Sequence, residues 1–131
     1  MVSVSPDVAQ DPDAPLVAAF LNGYFAAINA HNYKEYLALL SEPLQEAETA
    51  RNFYAGYSST TDSDAILSSI SDTGPGSIGA TVSFTSHQLP ADSASDSACT
   101  AWNITLYLTQ QSGRYLLGTP PSGYHAVYKP C

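Results

Sequence analysis

The stretch from Asp13 to Leu40, DAPLVAAFLNGYFAAINAHNYKEYLALL, restricts the fold more than any other part of the chain. Leu16, Phe20, Tyr24 and Ile28 recur every fourth residue, so a helix carries them as one stripe. Val17, Leu21 and Phe25 widen that stripe into a broad apolar face. Carboxylates from Asp11 to Asp13 and Pro15 in the first turn suit a helix start, and the pattern runs to about Ala30. Gly23 lies inside it at a cost of up to about 1 kcal/mol relative to Ala, which suggests close approach by another element. Asn32 with Glu35 makes a capping-box arrangement for a second helix over about Tyr33 to Leu40, with Tyr33, Tyr36, Leu37 and Leu40 inward. A helix pair this apolar on one side needs a surface to cover.

The later two-thirds of the chain supplies one. Ser41-Glu42-Pro43 ends the second helix and starts a third, with Leu44, Ala47, Arg51 and Tyr54 on one face and Gly56 as C-cap. Glu42, Glu46 and Glu48 suit the dipole at its N-terminus. After the polar loop from Ser58 to Asp62 the period changes to two. Ile66, Ser68 and Ile70 alternate with Ala65, Leu67 and Ser69, and a turn follows at Asp72 to Gly76. Ile78, Ala80, Val82 and Phe84 then face one way, with Gly79, Thr81, Ser83, Thr85 and His87 opposite. Trp102, Ile104, Leu106 and Leu108 repeat the pattern, Gln111 to Gly113 turns the chain into RYLLG, and a last strand lies around YHAVY. No internal repeat is visible.

A chain of 131 residues suits one domain with a single core. We divide it into a flexible N-terminal tail, residues 1–12, and one domain, 13–131. The Ser, Pro and Asp content of MVSVSPDVAQDPD reads as a linker without the basic and apolar parts of a signal peptide, and suggests a piece of something longer. Twelve acidic residues against four scattered basic ones, a formal charge of −8, argue against nucleic acid and against an anionic membrane surface. No run approaches the length of a transmembrane span, so direct membrane insertion by this segment is not expected.

Two cysteines are present, Cys99 and the terminal Cys131. A terminal Cys has little to pack against unless tied, so a disulfide is favoured over two free thiols. Closing a loop of about 33 residues would contribute roughly 3–4 kcal/mol. It would also place the domain in an oxidising, extracytoplasmic compartment, secreted or membrane-anchored. Register adds a constraint. If Gln110 opposes Arg114, an unbroken ladder sets Cys99 against His125, leaving Cys131 too far along to bond. Looping out Gly118 to Gly123, which includes Pro120 and Pro121, restores the match.

The order of elements, and above all FLNGYFAAINAHNYKEYLALL, resembles the nuclear transport factor 2-like superfamily, the cystatin-like α+β cone. The ending from Ser83 to Cys131 is similar to bacterial secreted or membrane-anchored members with a Cys pair. The resemblance implies three N-terminal helices packed on a curved four-stranded antiparallel sheet, with more strands if the last one is broken. It further implies a pocket at the open end and, in many relatives, pairing through the outer sheet face.

Enzymatic relatives, which resemble ketosteroid isomerase and the polyketide cyclases, use a carboxylate inside the cone as general base. Here Asp62, Asp64, Asp72, Asp92 and Asp96 fall in loops or at strand ends, and the four Glu lie on helices two and three. No catalytic residue is therefore carried over. His31, His87 and His125 read as capping or surface residues, and neither a metal site nor a cofactor is expected. Asn103-Ile-Thr105 fits a glycosylation sequon but lies mid-strand. The aromatic residues Tyr24, Tyr36, Tyr54, Tyr57 and Trp102 are the pocket candidates, each an apolar body with a polar handle. The leading expectation is a non-catalytic extracytoplasmic module that binds an unidentified small molecule or protein, as the outer domain of a longer membrane-linked protein. Two alternatives stand beside it. One is a small-molecule isomerase, cyclase or hydrolase using His or Tyr in the cone. The other is a structural domain that homodimerises through the Thr-rich sheet face of Thr81, Thr85, Thr105 and Thr109.

Overall fold

Four helices stand ahead of the main strands: α1 (Ala14–Asn29), α2 (Tyr33–Leu37), α3 (Glu42–Ala47) and α4 (Ala50–Tyr57). The strands are β1 (Ser3–Val4), β2 (Thr61–Gly74), β3 (Ser77–His87), β4 (Cys99–Gln111), β5 (Arg114–Leu117) and β6 (Val127–Pro130). The computed structural model describes residues 1–131. The class is α+β, with one more helix than the sequence suggests; the last strand is broken into β5 and β6, and the short β1 is the strand the sequence does not suggest.

α1 provides most of one core layer. Val17, Leu21, Ala27 and Ile28 are essentially sealed from solvent, while Leu16 is 38% exposed. At about 100° per residue the buried arc centres on Val17, Leu21, Tyr24 and Ile28, which leaves Leu16 at its margin. A Cβ on Gly23 would meet the Leu39 methyl groups at 3.7 Å, an ordinary contact, so packing does not demand a glycine there. Asn32 caps α2 by accepting a hydrogen bond from the Glu35 amide at 3.1 Å. α2 is shorter than its apolar pattern because the next residues join the sheet. The Leu117 amide donates to Leu39 O and the Ser41 amide to Leu117 O, both at 2.8 Å.

The expected third helix is two. Glu48 adopts an extended backbone, and the Thr49 hydroxyl then accepts from the Asn52 amide at 3.1 Å to start α4. That restart rotates the face. Phe53 becomes buried while Arg51 and Tyr54 turn outward, and Gly56 lies within α4 instead of ending it.

In the sheet, β2, β3, β4 and β5 are antiparallel neighbours in that order, and β1 adds a parallel edge to β2. The stretch read as a tail thus packs onto the fold. Ser3 and Val4 pair with Ile66 and Leu67, and Val2 and Val8 enter the core. β6 pairs with the same edge of β4 as β5 does, farther along the strand. Gln111 opposes Arg114 and Thr100 opposes Pro130, so five residues are looped out between the two pairings, against the six expected. The looped segment contains Pro120 and Pro121, and it brings Cys131 to Cys99.

β2 carries three register shifts against β3, between Ser63 and Ile66, Leu67 and Ser69, and Asp72 and Gly74. Each adds one residue to β2 and bends it, which curls the sheet around α1. The first shift sits at Asp64, whose φ of 57° places it in the left-handed region. A one-residue bulge also reverses which face every preceding residue occupies.

Candidate functional site

The curled sheet and the helices border an open cavity of about 550 Å³ at one end of the cone. Its floor continues the inward rows of β3 and β4, where Phe84 opposes Trp102 and Ser86 opposes Thr100. The Phe84 and Trp102 rings stack at 6.1 Å and 11°. Tyr128 of β6 leans on Trp102 at 4.9 Å, so the disulfide-anchored strand buttresses that wall. α1 contributes Tyr24 and Ile28, α2 contributes Tyr36, and α4 contributes Asn52, Gly56 and Tyr57.

Phe53 holds the roof. It is 1% exposed and contacts Tyr33, Tyr36, Tyr54 and Tyr57 with ring centroids 4.9 to 5.7 Å apart. The looped segment completes the site. Between its pairings with β5 and β6 the edge of β4 is open, and the Tyr124 hydroxyl accepts the Thr105 amide there at 2.7 Å. Tyr124 and Ala126 consequently line the cavity beside Ile104 and Leu106.

Polar groups reach this space from the helices and from the sheet. Tyr24, Tyr36 and Tyr57 converge, and burial pushes all three phenols above the ordinary tyrosine range; Tyr57 adds to the rise at Tyr24 and Tyr36, while hydrogen bonds from those two partly offset it at Tyr57. Asp62 is the main carboxylate. It is 8% exposed, and one carboxyl oxygen accepts a hydrogen bond from Ser86 Oγ at 2.6 Å. Burial raises its pKa above the usual 3.8, and the Ser86 bond partly offsets this. Its backbone is clamped by Asn29, whose side chain accepts the Asp62 amide at 2.7 Å and donates to the Asp62 carbonyl at 2.9 Å. Glu48 and Asp92 lie on the cavity wall as well. The buried Trp102 Nε1–H has no hydrogen-bond partner.

Asp62 corrects the sequence reading, which set it in a loop and left the cone without an interior acid. It lies in β2, opposite Ser86 on the inward side. The bulge at Asp64 and Ala65 is the reason. Counting back by twos from the buried Leu67 puts Asp62 on the outer face, and the extra residue turns it inward. One signal was available: Ser86 continues the inward series from Ile78 to Phe84, and a buried serine calls for a polar partner.

Of the five aromatic candidates, Tyr24, Tyr36, Tyr57 and Trp102 line the cavity. Tyr54 does not; it is 45% exposed on the outer side of α4. The histidines stay outside. His31 Nε2 bonds the Thr60 carbonyl at 3.0 Å, and His87 and His125 are exposed. Asn52, Gln88 and Tyr124 also line the site with no sequence pattern to mark them, and so do Glu48 and Asp92, which read from the sequence as a helix-dipole carboxylate and a loop acid.

Neither a family model nor a curated protein matches the sequence. Solved structures do. A ketosteroid isomerase-like protein from Erwinia carotovora atroseptica SCRI1043 superposes with a TM-score of 0.60 at 11% identity, covering 91% of this chain and 95% of its own. A protein described as a "putative polyketide cyclase" from Pseudomonas putida KT2440 gives 0.46 at 17% identity, covering 74% and 84%. The first likeness shows the fold.

Proposed function

We propose that this chain, a cone of the nuclear transport factor 2-like fold, is an extracytoplasmic module that binds a small molecule inside the cone. The cavity carries the reading. About 550 Å³ falls within the range of small-ligand pockets, and mostly apolar walls with a few convergent polar groups are the usual composition of one. A structural core would have filled that space, since interiors pack to crystal-like density. The Cys99–Cys131 disulfide supports an oxidising compartment. No helix is long and apolar enough to cross a membrane.

The test is a fragment screen followed by ¹H–¹⁵N NMR. Shifts should cluster on Tyr24, Tyr57, Asp62 and the single indole N–H of Trp102. Perturbation confined to the outer sheet face, or none across the panel, would overturn the reading.

A specific observation favours a second reading, acid–base catalysis. Asp62 is a buried carboxylate with a raised pKa that lines the same open cavity as Tyr24 and Tyr57, whose phenols feel its charge. Such a group can take a proton from carbon next to a carbonyl whose oxygen a tyrosine stabilises. The superposed protein's description as ketosteroid isomerase-like agrees with that chemistry. Isomerisation of a β,γ-unsaturated cyclic ketone, abolished by Asp62→Asn, would support it; no turnover above buffer would leave binding alone.

A further inference from the structure

We propose that the ligand of this cone is an organic cation, a protonated or quaternary amine on an apolar body. The inference rests on the pocket reading above and adds the ligand's charge to it.

Three carboxylates, Glu48, Asp62 and Asp92, are among the 20 residues lining the cavity, and none of the 20 is Lys, Arg or His. The chain has four Lys and Arg residues in all, and each is exposed and outside the cavity lining. Asp62 is therefore more than nine-tenths buried with one hydroxyl donor and no cationic partner. Buried carboxylates are ordinarily paired with a cation or a metal. The cavity is the side from which a ligand can supply the missing partner.

The walls suit the same ligand. Six of the lining residues are aromatic, and the stacked pair Phe84 and Trp102 offers π faces on the floor opposite the tyrosines of the helices. Ring faces attract ammonium groups electrostatically and repel anions. An anionic ligand would meet three carboxylates and no base. A neutral ligand would leave Asp62 uncompensated, or would require it protonated as a donor to a ligand oxygen.

Three soluble probes of one size separate these cases: 2-phenylethylammonium, 2-phenylethanol and phenylacetate. Each is titrated at pH 7.5 into the disulfide-intact chain, with Trp102 emission and calorimetry as readouts; Trp102 is the only tryptophan. The ammonium should bind at least about tenfold tighter than the alcohol, with phenylacetate weakest. Asp62→Asn should bring the ammonium to within about threefold of the alcohol, with circular dichroism confirming the fold.

Lowering the pH on wild-type protein gives a second measurement that needs no variant. The ammonium preference should shrink as Asp62 takes up its proton. The other titratable groups around it are Tyr24 on α1, His31 on the Thr60 carbonyl, Tyr57 on α4, His87 opposite Thr61, Glu48 and Asp92 on the cavity wall, and Met1 and Asp64 in the groove behind. Alcohol binding as tight as the ammonium, or tighter, would overturn the cation proposal and leave the pocket standing. No response of Trp102 to any probe at tens of millimolar would remove the pocket and this proposal together.

Discussion

The two halves of the cone are built from the same strands and end differently. In the closed half Ile78, Ala80 and Leu108 are 2, 0 and 1% exposed and belong to the filled core that α1 covers. In the open half the same inward rows continue through Phe84 and Ser86 on β3 and Trp102 on β4, and the space between them and the helices is a cavity. The difference lies in what interrupts the pattern. The closed half is regular alternation. The open half depends on a bulge at Asp64, a break between α3 and α4, a looped return strand and a disulfide. Regular pattern makes the core, and its interruptions make the site.

That contrast can be broken at the roof. Phe53→Ala removes the ring that four tyrosines pack on, and should cost about 3–5 kcal/mol in urea denaturation. Cavity-lining amides of α4 should shift along with the loss. An effect below about 1 kcal/mol would mean that α4 does not roof the cone as described.

The next largest effect belongs to the wall. Replacing Cys99 and Cys131 together by Ser removes a cross-link spanning 32 residues and should cost roughly 3–4 kcal/mol. Because β6 holds Tyr128 against Trp102, Trp102 emission should move to longer wavelength in the same variant. Unchanged emission would show that β6 keeps its place without the disulfide.

A matched pair sharpens the comparison with smaller effects. Ile78→Val, in the filled half, should cost about 1 kcal/mol, the usual range for a buried Ile→Val change. Ile104→Val, on the cavity wall, should cost less than about half of that, because the lost methyl group borders space instead of packed atoms. Equal costs would imply a cone filled from end to end.

How much the sequence reveals follows the same division. The buried face of α1, the inward rows Ile78 to Phe84 and Trp102 to Leu108, the capped start of α2 and the Cys99–Cys131 pairing are all readable, because each repeats a period or obeys a register. The inward positions of Tyr24, Tyr36 and Trp102 are readable for the same reason, whereas Tyr57 follows the Gly56 at which the sequence reading ends its helix. Asp62 is not, since a single left-handed residue two positions later flips its face. The split of the third helix hides in Glu48 and Thr49, where the capping hydroxyl outweighs a continuous apolar pattern and turns Tyr54 out and Phe53 in. Nor is the docking of Val2 and Val8 legible, because two valines in a polar stretch show no period.

Asp62 also sets the pH dependence. Its folded pKa is raised, so the fold prefers the protonated form. Its contribution is greatest below the ordinary value of 3.8, declines as pH rises toward the folded value, and is flat above it. Asp62→Asn should abolish that decline and be the more stable protein at pH 7.

The most direct test is the titration of the Asp62 carboxyl carbon by ¹³C NMR in the ligand-free chain. A buried, inward-facing Asp62 titrates with a midpoint above its usual 3.8. A midpoint at or below that value would contradict a desolvated carboxylate, and the open half of the cone would lose its buried acid.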